Sequence, residues 1–343
     1  MNSNCSLLVL LVIILIIIIV SPKNNSRNKK NKSNKDFHQQ LETFVSQLES
    51  GNVVSINDIN KQSKVAIVSM VTKQPDFAFW LYYHLDHLKL DLIILRVEDS
   101  PEYKPLIEKY GNRVIATYYN KDDIDMKHNY LTIMDRQKEN VNSGIQKAKE
   151  LGIDYIFHTD ADELIYVAQD NQKTPTSNLL RQYLDDVHSD YDCIHFKNFE
   201  AVFPNKEKKC FNTNRFIDCK KGQCLSYANG KSAGKVQNGI KFHGPHYFSG
   251  KVYDMPDNKM AVLHFDSCTY TQWETKFDLL KDTNEEKMKK IPFPFYKNSI
   301  KKLQKCGGDK KKETKCQKEL IKYYEEQKIL PYETKNTREM NFY

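Results

Sequence analysis

From Lys64 onward the chain alternates short apolar runs with stretches whose apolar residues recur at helical spacing. Lys64-Val-Ala-Ile-Val-Ser-Met-Val71 predicts a buried first strand. Phe77, Trp80, Leu81, His84, Leu85 and Leu88 then fall on one helical face, with Pro75 near its start. Leu92 to Val97 predicts a second buried strand, ending in Glu98-Asp99-Ser100-Pro101. A helix follows to Tyr110 and stops at Gly111, and Val114 to Tyr118 predicts a third strand. Tyr130, Ile133, Met134, Gln137, Val141, Ile145 and Ala148 form the stripe of one long helix, and Tyr155 to Phe157 a further buried strand. Strands alternating with helices predict right-handed βαβ units. The expected fold is α/β, Rossmann-like, a mostly parallel sheet with flanking helices.

Beyond residue 163 the pattern loosens into a smaller, mixed C-terminal part. Leu179 to Val187 predicts a helix, Asp192 to Phe203 a strand and 204–228 a loop. Residues 231–265 predict short strands with glycine turns, 270–283 a helix, and Glu319 to Lys328 one more. The expected division is 64–285 for a catalytic domain and 286–343 for a Lys-rich extension.

Ahead of this body, Leu7 to Val20 is an unbroken run of fourteen aliphatic residues. That is short of the roughly 20 of a full span and closer to a short signal anchor or signal peptide, residues 1–22. Residues 23–36 hold six cations against Asp36, giving +5 of the formal +8, so the rest of the chain is nearly balanced. Segment 23–63 predicts a basic stalk and stem. The cations after the span favour a cytoplasmic body, whereas the sequons Asn24-Asn-Ser26 and Asn31-Lys-Ser33 favour a lumenal one of the Golgi or endoplasmic-reticulum type. Because the basic excess lies in the stalk, nucleic acid is not an expected partner; the membrane is, through residues 7–20. Eight cysteines without a Cys-x-x-Cys pair predict disulfides rather than zinc, with connectivity open.

The candidate chemistry lies in Ile153-Asp-Tyr-Ile-Phe-His-Thr-Asp160-Ala-Asp162-Glu163-Leu-Ile. A buried strand stops on a cluster of acids, and ligands of open α/β sheets sit beyond the carboxyl ends of strands. Two Asp one residue apart can turn toward one hard divalent cation and a nucleotide diphosphate. A solvated turn capping the next element is the plainer alternative.

Val65-Ala-Ile-Val-Ser-Met-Val, Trp80-Leu-Tyr-Tyr-His84, Asp91-Leu-Ile-Ile-Leu, Gln137-x-x-Asn140 and Asp154-Tyr-Ile-Phe-His-Thr-Asp160-Ala-Asp162-Glu163 occur in that order. The set resembles the GT-A glycosyltransferases of the family-2-like and family-92 group over roughly residues 64–280. That family's Asn-Glu pair after the first strand is absent, and Thr72-Lys73-Gln74 stands in its place. The resemblance implies a UDP-sugar donor, a glycan or glycoprotein acceptor, and Mn²⁺ or Mg²⁺ on the donor diphosphate. It implies Asp160 and Asp162 in the metal and donor site, with Asp162 the direct ligand, and His264 of Ala261-Val-Leu-His264 completing the metal site. Glu163 would order the loop. Gln137 would brace the active-site floor, and Lys231 and Lys235 of Asn229-Gly-Lys231-Ser-Ala-Gly-Lys235 would neutralise the diphosphate. Asp99 would contact uracil or ribose, or simply begin a helix. His246 of His243-Gly-Pro-His246 would lie near the acceptor. Family-92 enzymes transfer galactose with inversion, which needs a general base; Asp266 and Glu274 are positioned for that role. Two other classes stay open: a metal-dependent phosphoesterase or nucleotidyltransferase, and an inactive GT-A domain that binds glycans as a scaffold.

Overall fold

The computed structural model describes residues 62–123, 129–170, 174–206, 209–219, 224–306 and 313–342. The expected anchor at 7–20 and the stalk up to residue 61 lie outside these residues. Among the described residues, no helix is long and apolar enough to cross a membrane.

The order of elements is β1 (Val65–Val71), α1 (Phe77–Tyr82, prolonged by a π-turn over Tyr83–His87), β2 (Leu92–Glu98), α2 (Lys104–Glu108), β3 (Val114–Tyr119) and α3 (Asn129–Glu150). There follow β4 (Tyr155–His158), β5 (Glu163–Val167), α4 (Thr176–Asp185), β6 (Cys193–Phe196), β7 (Asn198–Ala201), β8 (Arg215–Asp218) and β9 (Lys231–Lys235). The chain ends with β10 (Val252–Met255), β11 (Met260–His264), α5 (Tyr270–Asp278), α6 (Glu285–Lys289), α7 (Pro294–Cys306), α8 (Glu313–Tyr324), α9 (Leu330–Thr334) and β12 (Arg338–Glu339).

Seven strands form one sheet in the order β10-β6-β9-β4-β1-β2-β3. The run β4-β1-β2-β3 is parallel, β9 is antiparallel to both its neighbours, and β10 is parallel to β6. The fold is therefore mixed α/β with a mostly parallel central sheet and flanking helices. Alternate residues of β1 enter different cores: Val65 and Ile67 face α1, α4 and the second sheet, whereas Ala66 and Val68 face Val141, Ile145 and Ala148 of α3. A Cβ on Gly144 would meet Val68 Cγ2 at 2.7 Å, so glycine there lets α3 lie close on β1. Asn140 Nδ2 donates to Ser69 O at 3.0 Å and fixes that helix along the strand.

The second sheet runs β12-β8-β7-β11-β5. Its edge strand β5 is covered by the first helix. Trp80 Nε1 donates to Glu163 O, Tyr83 Oη donates to Ile165 O, and Ile165 N–H donates to His84 Nε2. The Trp-x-x-x-His helix thus supplies side chains to backbone groups that no strand pairs on that side.

Three sequence expectations change. The single strand Asp192–Phe203 is two strands, β6 and β7, one in each sheet. The loop 204–228 contains β8. Residues 286–343 carry helices the periodicity did not predict, and Gln62–Tyr343 form one compact unit. Ile291, Ile300, Leu303, Tyr323 and Tyr324 pack on Trp273 and Phe277, while Met340 and Phe342 enter the main core. Among the described residues, three disulfides join Cys210–Cys268, Cys219–Cys224 and Cys306–Cys316, and Cys193 is a buried free thiol.

His84 tests this packing. Its Nδ1–H donates to Trp80 O at 2.9 Å, so Nε2 keeps the lone pair that receives Ile165 N–H. Burial pulls its pKa down to about 3, with the bond to Trp80 opposing. The unfolded chain therefore gains a proton below pH 6.5 that the folded chain refuses. Its stabilisation is complete above pH 6.5 and declines at lower pH, by about 1.4 kcal/mol per pH unit. Urea unfolding at pH 7 and pH 5 should show this decline, and His84→Gln should flatten it. Equal slopes for the two proteins would mean that His84 titrates normally in the fold.

Candidate active site

Strands β4, β1 and β2 are parallel, so their carboxyl ends share one edge of the sheet. The chain moves from β1 to β2 and β3 on one side, then returns to β4 on the other. The switch point is therefore between β1 and β4, where an open α/β sheet leaves a ligand crevice. Asp160 and Asp162 leave β4 at this point, on the link into β5 and the second sheet. The loop closes on itself: Asp160 N donates to Glu163 Oε2 at 2.7 Å, and Glu163 N donates to Asp160 O at 3.1 Å. Register aligns the second sheet on it. His264 of β11 lies opposite Glu163 of β5 and opposite Glu200 of β7, so all three side chains share one face.

Under the loop sits a fully buried ammonium. Lys231 Nζ of β9 is 2.7 Å from Asp160 Oδ2 and 3.4 Å from Glu163 Oε2, and its side chain has no exposed surface. Gln137 Nε2 of α3 donates to the other oxygen, Asp160 Oδ1, at 3.0 Å. Tyr227 Oη donates to Glu163 Oε1. Burial would raise Asp160, but Lys231 outweighs it and holds the carboxyl well below the usual range. Burial pushes Glu163 up to about 8, against the pull of Lys231 and with the charge of Asp160 adding to the rise.

A second group adjoins the first. Ligand atoms of Asp162, His264 and Asp266 lie within 4.8 Å of one another, with His264 Nε2 at 3.6 Å from Asp162 Oδ2. Asp266 is fully buried: Lys276 Nζ and Tyr296 Oη donate to Oδ1, and Oδ2 has no hydrogen-bond partner. The backbone that aims Asp266 is strained and clamped. Ser267 has φ 52°, Tyr324 Oη donates to Ser267 O, and Cys268 is tied to Cys210. Burial alone would lower His264, but Asp162, Glu163 and Asp266 together push it up to about 9.

The donor set of two carboxylates and one imidazole, with one carboxylate oxygen lacking a partner, fits a divalent cation such as Mn²⁺. Five acidic side chains, Asp160, Asp162, Glu163, Glu200 and Asp266, gather here beside Lys231, Lys276 and Lys328, and of the five burial pushes Glu163 toward its neutral form.

Asp160, Asp162, Glu163, Gln137, His264 and Asp266 are thus brought together. His246 borders them, its ring 4.6 Å from that of Tyr227. Its Nδ1–H donates to Gly230 O, and burial pulls its pKa down to about 4. Lys231 is a pin beneath the acids, not an ammonium open to a ligand, because a buried cation is held where carboxylates neutralise it. Lys235 lies four residues along β9, about 13 Å away, and donates to Val187 O and His188 O at the other end of the strand. Asp99 is on the shared strand edge beyond β2, in a left-handed conformation (φ 45°) and paired with Lys73 at 2.7 Å. Ser100, not Asp99, precedes the helical turn at Pro101. Glu274 accepts from Tyr270 Oη in the C-terminal helical layer. Asp266, held far below the carboxylate range by Lys276 and Lys328 against burial, is a poor proton acceptor and unsuited to be a general base.

Sequence reasoning missed Lys276, Tyr227, Ser226, Glu200, Tyr296 and Lys328. One of them had a signal: Leu320, Tyr324 and Lys328 recur at four-residue spacing, and all three are buried. A lysine on an apolar stripe calls for a buried partner.

No family model matches the chain. Two Arabidopsis thaliana proteins, Glycosyltransferase-like At2g41451 and Glycosyltransferase-like At3g57200, are similar to part of it. The first is 29% identical over 40% of this chain and 34% of its own length, the second 27% over 38% and 29%. The chain therefore spans about a third of the curated relatives it matches. Solved structures with some overlap include a 4-diphosphocytidyl-2C-methyl-D-erythritol synthase from Anaerococcus prevotii, at 9% identity, TM-score 0.30, 63% of this chain and 97% of that one. The inositol-1-phosphate CTP transferase from T. maritima overlaps at 12% identity, TM-score 0.30, 70% of this chain and 97% of that one. Overlaps this slight carry no functional argument.

Replacing Lys231 by Met keeps its bulk and removes its charge from Glu163, which is buried, and from Asp160, whose side chain is 32% exposed. Removing one partner of a fully buried pair costs about 3–5 kcal/mol, and the solvent at Asp160 brings the expected loss to the lower end of that range. Urea unfolding at pH 7 should show that loss, and unchanged stability would mean that the acids are not held by this ammonium.

Proposed function

We propose that this chain is a metal-dependent glycosyltransferase that moves a hexose from a UDP-sugar to a glycan or glycoprotein acceptor. One observation carries the reading: Asp162, His264 and Asp266 converge at the switch point, with Asp266 Oδ2 buried and unpartnered. The partial similarity to two glycosyltransferase-like proteins supports it. UDP as the nucleotide, galactose as the hexose and inversion as the stereochemistry rest on the resemblance to family 92.

In this reading Asp162, His264 and Asp266 hold the divalent ion. An imidazole among the donors favours Mn²⁺ over Mg²⁺. The bound ion supplies Lewis-acid neutralisation to a departing diphosphate. Gln137 and Lys231 fix both oxygens of Asp160, so the loop presents Asp162 in one orientation. Lys276 borders Asp266 with its side chain 29% exposed, and offers the diphosphate the cation that Lys231 cannot. On the acceptor side, His246 spends Nδ1–H on Gly230 O and keeps Nε2 as an acceptor for a sugar hydroxyl. Three disulfides support an oxidising lumen as the setting, with residues 7–20 as the membrane anchor.

UDP release from a panel of UDP-, GDP- and CMP-sugars tests the reading. Release should require Mn²⁺ and an acceptor, stop with EDTA, and fall about 100-fold or more in Asp162→Asn. Cleavage that ignores the acceptor would indicate a phosphoesterase or nucleotidyltransferase. Binding of a donor without turnover, with or without metal, would indicate a glycan-binding scaffold.

A further inference from the structure

His264 is only as useful as its orientation. Across the shared face of the second sheet, Glu200 accepts three bonds on one oxygen: from Leu225 N at 3.0 Å, from Ser226 N at 3.1 Å and from Ser226 Oγ at 2.9 Å. Its other oxygen faces Lys328 Nζ at 3.2 Å, and both side chains are almost wholly buried. Ser226 Oγ is also 3.1 Å from His264 Nδ1. A hydroxyl has one proton, and here it goes to Glu200. Ser226 Oγ can therefore only accept from His264, which must carry its proton on Nδ1. The lone pair of the neutral ring is then on Nε2, the nitrogen that faces Asp162 Oδ2.

We propose that Ser226 and Glu200 are positioning residues that select the Nδ1–H form of His264 and aim Nε2 at the divalent ion. This inference rests on the metal reading of the site. The carboxylate acts through a hydroxyl, and Lys328 brings the C-terminal segment into the same chain of contacts. The segment holding Ser226 is itself fixed from both sides. Cys224 is bonded to Cys219, and Asn198 Nδ2 donates to Tyr227 O at 2.8 Å. Tyr227, the next residue along, holds Glu163. One short segment therefore sets both the imidazole and the acid loop, although neither Ser226 nor Glu200 is among the three clustered donors. Partners of this kind typically change metal affinity by about 10–100-fold when removed.

The test is Mn²⁺ binding by the full-length chain in detergent, read as free Mn²⁺ by electron paramagnetic resonance. Wild type should bind one ion, and Asp162→Asn should lose it. Ser226→Ala should bind about 10–100-fold more weakly. Its metal-free unfolding midpoint should move by no more than a few degrees. Unchanged affinity in Ser226→Ala, beside loss in Asp162→Asn, overturns the positioning role and leaves the metal reading intact. No binding by wild type overturns both. Should Ser226→Ala not fold, ¹⁵N-histidine resonance of Zn²⁺-loaded wild type decides. A proton on Nδ1 of His264 with metal on Nε2 upholds the inference, and metal on Nδ1 overturns it.

Discussion

The site depends on how buried negative charge is balanced at one edge of the sheet. Lys231 is the centre of that balance. Its ammonium is out of reach of water and sits between Asp160 and Glu163. Charges 3–4 Å apart attract by about 4 kcal/mol at an effective dielectric near 20, while each buried ion costs several kcal/mol to desolvate. The pair therefore adds little net stability, and its value is geometric. It ties β9 of the central sheet to the loop that crosses into the second sheet, at the one place where every remaining carboxylate must find a cation.

That requirement explains the C-terminal segment. Lys276 reaches Asp266 and Lys328 reaches Glu200, both from helices after the last long strand. Tyr296 and Tyr324 hold Asp266 and the backbone beside it. The segment is thus part of the site, and its lysines compensate acids that the sheets bring together. The raised pKa of His264 comes from its nearest acids, Asp162, Glu163 and Asp266, against the pull of burial. Two of those acids and the imidazole are also the donor set that fits a divalent cation.

Much of the central sheet was legible because period-2 burial and 3.6-residue stripes are local signals. The strands from Val65, Leu92, Val114 and Tyr155 were found within a residue or two of their observed ends. Gln137 stood out as an amide on an apolar stripe, and its partner is Asp160. The second sheet was legible only at β11, where Ala261-Val-Leu-His264 reads as a strand ending in His. Its strands are two to five residues long, and the change of sheet at Lys197 leaves no mark on hydrophobicity. Lysines could not be sorted either. Lys231 and Lys235 lie two alternations apart on one strand, yet one is buried among acids and the other caps carbonyls at the far end. Pairings such as Lys328 with Glu200, 128 residues apart, are set only by the assembled fold.

The most direct measurement is an anomalous difference map from a crystal of the folded unit grown with Mn²⁺ and UDP. One strong peak is expected within coordination distance of Asp162, His264 and Asp266 Oδ2, with the nucleotide in the crevice between β1 and β4. A peak elsewhere, or none at this cluster while the nucleotide is bound, would contradict this placement of the ion.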